Sequence, residues 1–220
     1  MKKLICFDLD NTLVNSDKAH FYSYMDAVEK YGFKRISYWK FLRLMGMPKE
    51  QVVREIIGYG KDKKIYDKVN DLQAELVIKN KYGNTTKALF GIKMALRKLS
   101  KKYRLAVTSN CSHKTILTLL KNAGIDTKLI NIVVGNDDVR LSKPNPAEIR
   151  KASKIAHVKA DYVIGDSIYD IIAAKRAKVK SIAVLTGHFS RKVLKQKKPD
   201  YIIKSVRYLP RLLRKIENES

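Results

Sequence analysis

Asp8 and Asp10 stand one residue apart where the apolar run "KLICF" ends. Acidic residues are poor strand formers and costly to bury, so a pair in this place needs a chemical reason. Farther along, "VTSN" (107–110) closes a second apolar run with Thr108, Ser109 and Asn110. "LSKPNP" (141–146) supplies Lys143, and "GDSIYD" (165–170) supplies Asp166 and Asp170. Clustered carboxylates repel one another unless a cation sits among them. Oxygen ligands favour magnesium, which takes one or two carboxylates together with water and phosphate oxygens. A lysine balances further negative charge, and hydroxyls with backbone amides can cradle phosphate oxygens. The substrate class that fits is a phosphate ester. Asp8 can attack phosphorus as a carboxylate nucleophile. Asp10 can protonate the leaving oxygen and then take a proton from water.

These residues work together only if the fold gathers them. Short runs rich in Ile and Val read as strands: "KLICFDLD" near the start, then 103–110, 130–137, 160–167, 179–187 and 200–205. Helical patterns over roughly 87–101, 112–123, 146–157 and 168–178 separate them. Strands alternating with helices predict an α/β fold, a Rossmann-like parallel sheet with helices on both faces. In such a sheet ligands bind outside the carboxyl ends of the strands, where all the residues above fall. Residues 16–82 hold no convincing strand. They read as helices near 18–32, 37–45, 48–58 and 62–81, punctuated by Gly32, Gly46-Met47-Pro48 and Gly58-Tyr59-Gly60. The expected organisation is a catalytic core of 1–15 and 83–220 with an inserted helical cap of 16–82.

The 220-residue chain carries a formal net charge of +25, from 46 Lys and Arg against 21 Asp and Glu. Residues 16–82 hold 14 basic and 9 acidic side chains; residues 171–220 hold 14 and 3. Such a balance raises nucleic acid, a membrane surface or an anionic small molecule as partner. No single helix shows a one-sided basic stripe interleaved with aromatics, so nucleic acid is not favoured. No apolar run reaches the roughly 18 to 20 residues of a membrane helix. Two isolated cysteines make no disulfide framework, and a reducing cytoplasm is the expected compartment.

Taken in order, "DLDNTLVNS", "VTSN", "SKPNP" and "GDSIYD" resemble the four motifs of the haloacid dehalogenase superfamily. The resemblance spans nearly the whole chain. The inserted helices are similar to the cap of the phosphoglycolate phosphatase and beta-phosphoglucomutase branch. The resemblance implies a magnesium-dependent phosphatase acting on a small phosphorylated metabolite, phosphoglycolate-like, through an aspartyl-phosphate. A sugar-phosphate mutase, a nucleic-acid-end phosphatase and a basic nucleic-acid-associated protein are the alternatives. By the same resemblance Asp8 is the nucleophile and Asp10 the general acid/base. Thr108 holds the phosphoryl group, and Lys143 orients the nucleophile. Asp8, Asp10 (through its carbonyl), Asp166 and Asp170 are the metal-site residues. Asn11, Ser109 and Asn110 would touch substrate, and Arg43, in "RLMGMPKE", would meet its distal anion. Asn11 stands where glycine is common, and Lys178 where a glycine follows the fourth motif.

The remaining residues read as structural. Cys6 and Cys111 are expected in the core or a turn. His20, His113, His157 and His188 form no ligand-spaced pair and read as surface or core. Tyr22, Tyr24, Tyr38, Trp39 and Phe41 read as cap core, and "RKVLKQKKPD" (191–200) as a solvated basic loop.

Overall fold

The computed structural model describes residues 2–219, so Met1 and Ser220, the ends of the expected core, lie outside the described residues. Six parallel strands form the main sheet: β1 (Leu4–Phe7), β4 (Arg104–Thr108), β5 (Ile132–Val134), β6 (Ala160–Gly165), β7 (Lys180–Val184) and β8 (Tyr201–Ile203). Their order is β5-β4-β1-β6-β7-β8. β1 lies between β4 and β6 and is buried along its length. Its apolar run is the one expected of a strand covered on both faces.

Alternation sorts its side chains. Ile5 and Phe7 pack into one apolar layer with α5 (Ile92–Ser100), α6 (His113–Asn122) and α10 (Leu209–Asn218). Leu4 and Cys6 pack into the other with α7 (Ala147–Ala156) and α8 (Ile168–Ala177). Strand order reverses direction at β1, because the chain moves outward to β4 and β5 and then returns to β6 on the opposite side. That switch point opens a crevice at the carboxyl end of β1.

A two-stranded antiparallel ribbon, β2 (Val14–Asn15) with β3 (Lys87–Ala88), ties the two ends of the inserted segment together. Between its strands run α1 (Asp17–Lys30), α2 (Tyr38–Leu42), α3 (Lys49–Ile57) and α4 (Lys63–Ile78). They share an apolar cluster of their own, including Met25, Val28, Phe41, Val53, Tyr66 and Val69. The helix expected over 87–101 starts only at Ile92. Gly91, at φ 78°, sits in the left-handed region just before it, and Lys87–Ala88 are claimed by the ribbon. Within the expected basic loop, Arg191–Gln196 forms helix α9. Ser190 caps it and Leu194 is fully buried, so an apolar anchor and a cap override the charge. Trp39 is 74% exposed, unlike Tyr24 and Phe41, so the aromatic run does not share one buried face. No helix among the described residues is long and apolar enough to cross a membrane.

Candidate active site

Four segments converge at the carboxyl end of β1. Asp8 follows the strand directly, and its side chain continues on the face that carries Leu4 and Cys6. Asp10 lies in the tight turn that leads into β2. The turn is set by Asn11 at φ 53°, where asparagine is among the few side chains tolerated. Asp166 leaves β6. Ser167 caps α8 and receives the amide of Asp170, while Asp170 Oδ2 accepts from the Ser167 amide and hydroxyl at 3.2 and 2.5 Å. The reciprocal cap fixes the Asp170 carboxylate.

Lys143 reaches into this group from the loop between β5 and α7 and is 2% exposed. Its Nζ donates to Asp8 Oδ1 at 2.5 Å, to Asp170 Oδ1 at 2.7 Å and to the Thr108 carbonyl at 3.0 Å. All three donor hydrogens of the ammonium are thereby used. Burial works against its charge, but Asp170 and Asp8 hold its pKa well above the ordinary lysine range.

One ammonium does not balance the carboxylates. Oxygens of Asp8, Asp166 and Asp170 lie within 4.8 Å of one another, all buried. Burial first, then Asp170 and Asp10, push Asp8 up to about 8 against the pull of Lys143. Burial, Asp8 and Asp170 likewise lift Asp166 far above the carboxylate range. Carboxylates raised by mutual repulsion inside an all-oxygen cluster are what a hard divalent cation relieves, so the donor set fits magnesium.

Asp10 is in a different state. Burial opposes its charge, yet His20, Ser16 and Cys111 hold it down at about 2. His20 Nε2 lies 2.9 Å from Asp10 Oδ1, and the Ser16 hydroxyl donates to the same oxygen. Asp10 in turn lifts the imidazole well above its usual range against burial. Gln73 lies 3.2 Å from the other ring nitrogen and 2.9 Å from Ser23 Oγ. The two carboxylates, with one residue between them, are thus driven in opposite directions.

The pocket above these groups is lined by Asp8, Asp10, Asn11, Ser109, Asn110, Lys143 and Asp166 from the sheet side. Tyr24, Phe41, Leu44, Met45, Met47 and Val52 roof it from the inserted helices. Thr108 does not line it: its hydroxyl is buried without a partner, and the residue enters the site through its carbonyl. Ser109, one residue later and on the other side of the strand end, lines the pocket in its place. Arg43 is exposed and does not line the pocket, whereas Lys49, at the start of α3, does. Asp170 stands behind the wall, on Lys143.

Sequence reasoning passed over His20, Cys111 and Glu148. His20 was findable: Asp17, His20, Ser23 and Tyr24 repeat at three- and four-residue spacing, and all are buried on α1. Cys111 gave no periodic signal. Glu148 lies in the first turn of α7, where a glutamate reads as a routine helix start. In the fold it is fully buried and neither carboxylate oxygen has a hydrogen-bond partner. Burial lifts it from 4.5 to about 7, with Lys143 opposing and Asp170 adding.

Glu148 therefore makes stability depend on pH. Below pH 4.5 it is neutral in the folded and unfolded chain alike. As pH rises toward 7 the unfolded chain releases the proton first, and the folded state loses ground. Glu148→Gln does not titrate. It should match the wild type at pH 4 and exceed it at pH 8 by on the order of 3 kcal/mol in urea unfolding. A difference independent of pH would exclude this origin.

Residues 5–184 match the family model of haloacid dehalogenase-like hydrolases. A protein named pyrophosphatase PpaX from Oceanobacillus iheyensis is 26% identical over 215 residues, 93% of this chain and 94% of that one. A solved structure described as a predicted phosphatase from Clostridium acetobutylicum is 25% identical and superposes with a TM-score of 0.86, covering 98% of this chain and 99% of that one. A structure described as a predicted phosphoglycolate phosphatase from Haemophilus somnus shares the fold at 23% identity, with a TM-score of 0.83 over 96% of this chain and 98% of that one.

Proposed function

Because the chain belongs to the haloacid dehalogenase-like hydrolase family, we propose that it is a magnesium-dependent phosphatase that cleaves a small phosphorylated metabolite through an aspartyl-phosphate. The observation that carries this reading is the buried Lys143–Asp8 pair beside the unbalanced Asp8, Asp166 and Asp170 cluster. Asp8, Asp166 and the Asp10 carbonyl would hold Mg2+, with Asp170 behind them, and the ion supplies neutralisation of the carboxylates and phosphoryl oxygens.

The steps of this chain's own residues follow from their positions. Lys143 fixes the Asp8 carboxylate, whose free oxygen attacks phosphorus while the bond to the leaving oxygen breaks. Ser109 and Asn110, on the pocket wall, take the phosphoryl oxygens. The leaving oxygen receives a proton from the Asp10–His20 pair, which holds one proton between two atoms 2.9 Å apart. Asp10 then removes a proton from water as water attacks the aspartyl-phosphate, releasing phosphate and restoring Asp8. The helices of 16–82 act as a cap whose apolar roof excludes bulk water, and Lys49, with the His20 imidazole, is the basic contribution they make to the pocket.

Two substrate classes have specific support. A small phosphate monoester such as phosphoglycolate is supported by a pocket roofed by apolar side chains with Lys49 at its edge. Inorganic pyrophosphate is favoured by the name of the relatives that match over nearly the full chain. The test is phosphate release from phosphoglycolate, sugar phosphates, nucleotides and pyrophosphate, with magnesium and with chelator. Magnesium-dependent turnover of one class well above the rest is expected. A flat response across the panel would overturn the assignment, and a sugar-phosphate isomer in place of free phosphate would identify a mutase.

A further inference from the structure

Beside the carboxylate cluster, a second set of donors of different chemistry meets on the pocket wall. Asp10 from the turn after β1, His20 from α1 and Cys111 from the loop after β4 bring one oxygen, one nitrogen and one sulfur together. His20 Nε2 is 2.9 Å from Asp10 Oδ1. Cys111 Sγ is 3.3 Å from Asp10 Oδ2 and 3.8 Å from His20 Nε2. A tetrahedral zinc ion with one sulfur ligand at about 2.3 Å and nitrogen and oxygen ligands at about 2.0–2.2 Å holds those atoms about 3.4–3.6 Å apart. The imidazole and the thiol approach different oxygens of Asp10, one ligand atom from each residue lies within 4.8 Å of the other two, and the 3.8 Å between Cys111 Sγ and His20 Nε2 is close to the sulfur–nitrogen edge.

The chemistry agrees with the geometry. Thiolate and imidazole select zinc and similar borderline or soft ions, whereas magnesium takes oxygen. All three side chains line the pocket, which leaves a fourth position open toward it. The imidazole also has a side-chain amide beside its second nitrogen. Gln73 Nε2 lies 3.2 Å from Nδ1 and donates to Ser23 Oγ; ligation through His20 Nε2 calls for the amide to give up that bond and turn its oxygen to accept Nδ1–H.

We propose that the Asp10 carboxylate, His20 and Cys111 form a second metal site that takes zinc, distinct from the oxygen site of Asp8 and Asp166 to which Asp10 lends only its carbonyl. An ion there occupies the carboxylate and the imidazole that handle the proton, so zinc shuts the hydrolase off. That consequence, unlike the binding itself, rests on the proton-transfer role proposed for Asp10.

The probe is Co2+, added to the full chain in excess magnesium so that the oxygen cluster is already served. One equivalent should bind with a thiolate-to-cobalt charge-transfer band, and Zn2+ should displace it. The band should vanish in Cys111→Ser and persist in Cys6→Ala, which removes the other thiol of the chain. Zinc affinity should fall in Cys111→Ser by more than the about 10–100-fold that loss of an outer partner costs. Zinc should inhibit the wild type and inhibit Cys111→Ser far less. A folded wild type without the band, or a band that survives Cys111→Ser, overturns the site. Tight zinc binding at Cys111 with undiminished turnover overturns the inhibition. A band in a protein that hydrolyses nothing would keep the site and overturn the phosphatase assignment, and turnover without a band would do the reverse.

Discussion

Asp8→Asn should lower kcat by about 10⁵-fold or more while leaving the fold intact, the scale seen when a nucleophile that works as part of a unit is removed. An amide has the shape of the carboxylate but does not attack phosphorus. The structural cost is small for a specific reason. Asp8 is one of three crowded carboxylates, and burial with like charge already pushes it up to about 8. Removing its charge relieves Asp166 and Asp170, and Lys143 keeps its bonds to Asp170 and to the Thr108 carbonyl. Without metal at pH 8, the variant should therefore melt no lower than the wild type. The melting-temperature rise produced by magnesium should shrink, because one oxygen ligand is gone. Steady-state kinetics and thermal melts with magnesium and with chelator separate these effects. Turnover within tenfold of the wild type would remove Asp8 from the role of nucleophile.

Lys143→Met carries the largest expected loss of stability. It deletes the one ammonium that touches Asp8, Asp170 and the Thr108 carbonyl, and it leaves buried carboxylates facing one another. Breaking a buried pair from one side costs about 3–5 kcal/mol, because the remaining charge has no compensation. Catalysis should fall as well, by about 10²–10³-fold or more, since a fixed charge beside the reacting carboxylate is lost.

The pH dependence gives the sign. Asp8 and Asp166 have raised pKa values in the fold, and loss of Lys143 raises Asp8 further. At pH 5 Asp8, raised to about 8, carries its proton in the folded state, Asp166 is shifted in the same direction, and the repulsion is reduced. At pH 8 they are pressed to ionise. The stability gap between variant and wild type should therefore widen from pH 5 to pH 8 in urea unfolding, and magnesium should narrow it at pH 8. A variant as stable and as active as the wild type at pH 8 would mean that Lys143 does not hold the carboxylates together.

Much of the site was legible in the sequence because strand ends are legible. Apolar runs of four to six residues, each closed by a polar group, place Asp8, Ser109, Asn110 and Asp166 at the carboxyl end of a parallel sheet, where α/β folds bind ligands. Lys143 stands after the third strand run in "LSKPNP", and the resemblance of that motif singled it out among 46 basic residues. The inserted helices were visible through their three- and four-residue spacing and the glycines between them.

What the sequence could not decide were facts of direction and company. A strand end turns its side chains to alternate faces, and a shift of one residue separates a pocket wall from a sealed interior. That is why Thr108 gives only its carbonyl to the site and Ser109 gives its side chain. Arg43 and Lys49 are basic residues at the end of α2 and the start of α3, and only the packing of these helices over the crevice sets which one faces in. His20 and Cys111 are 91 residues apart and meet on Asp10 only because α1 folds back over the loop after β4. Glu148 is an ordinary helix-start glutamate in one dimension and an unpartnered buried acid in three. Residue type and spacing determined which chemistry the chain carries. The tertiary structure decided which atoms share a volume small enough for charge, burial and ligand geometry to act on them together.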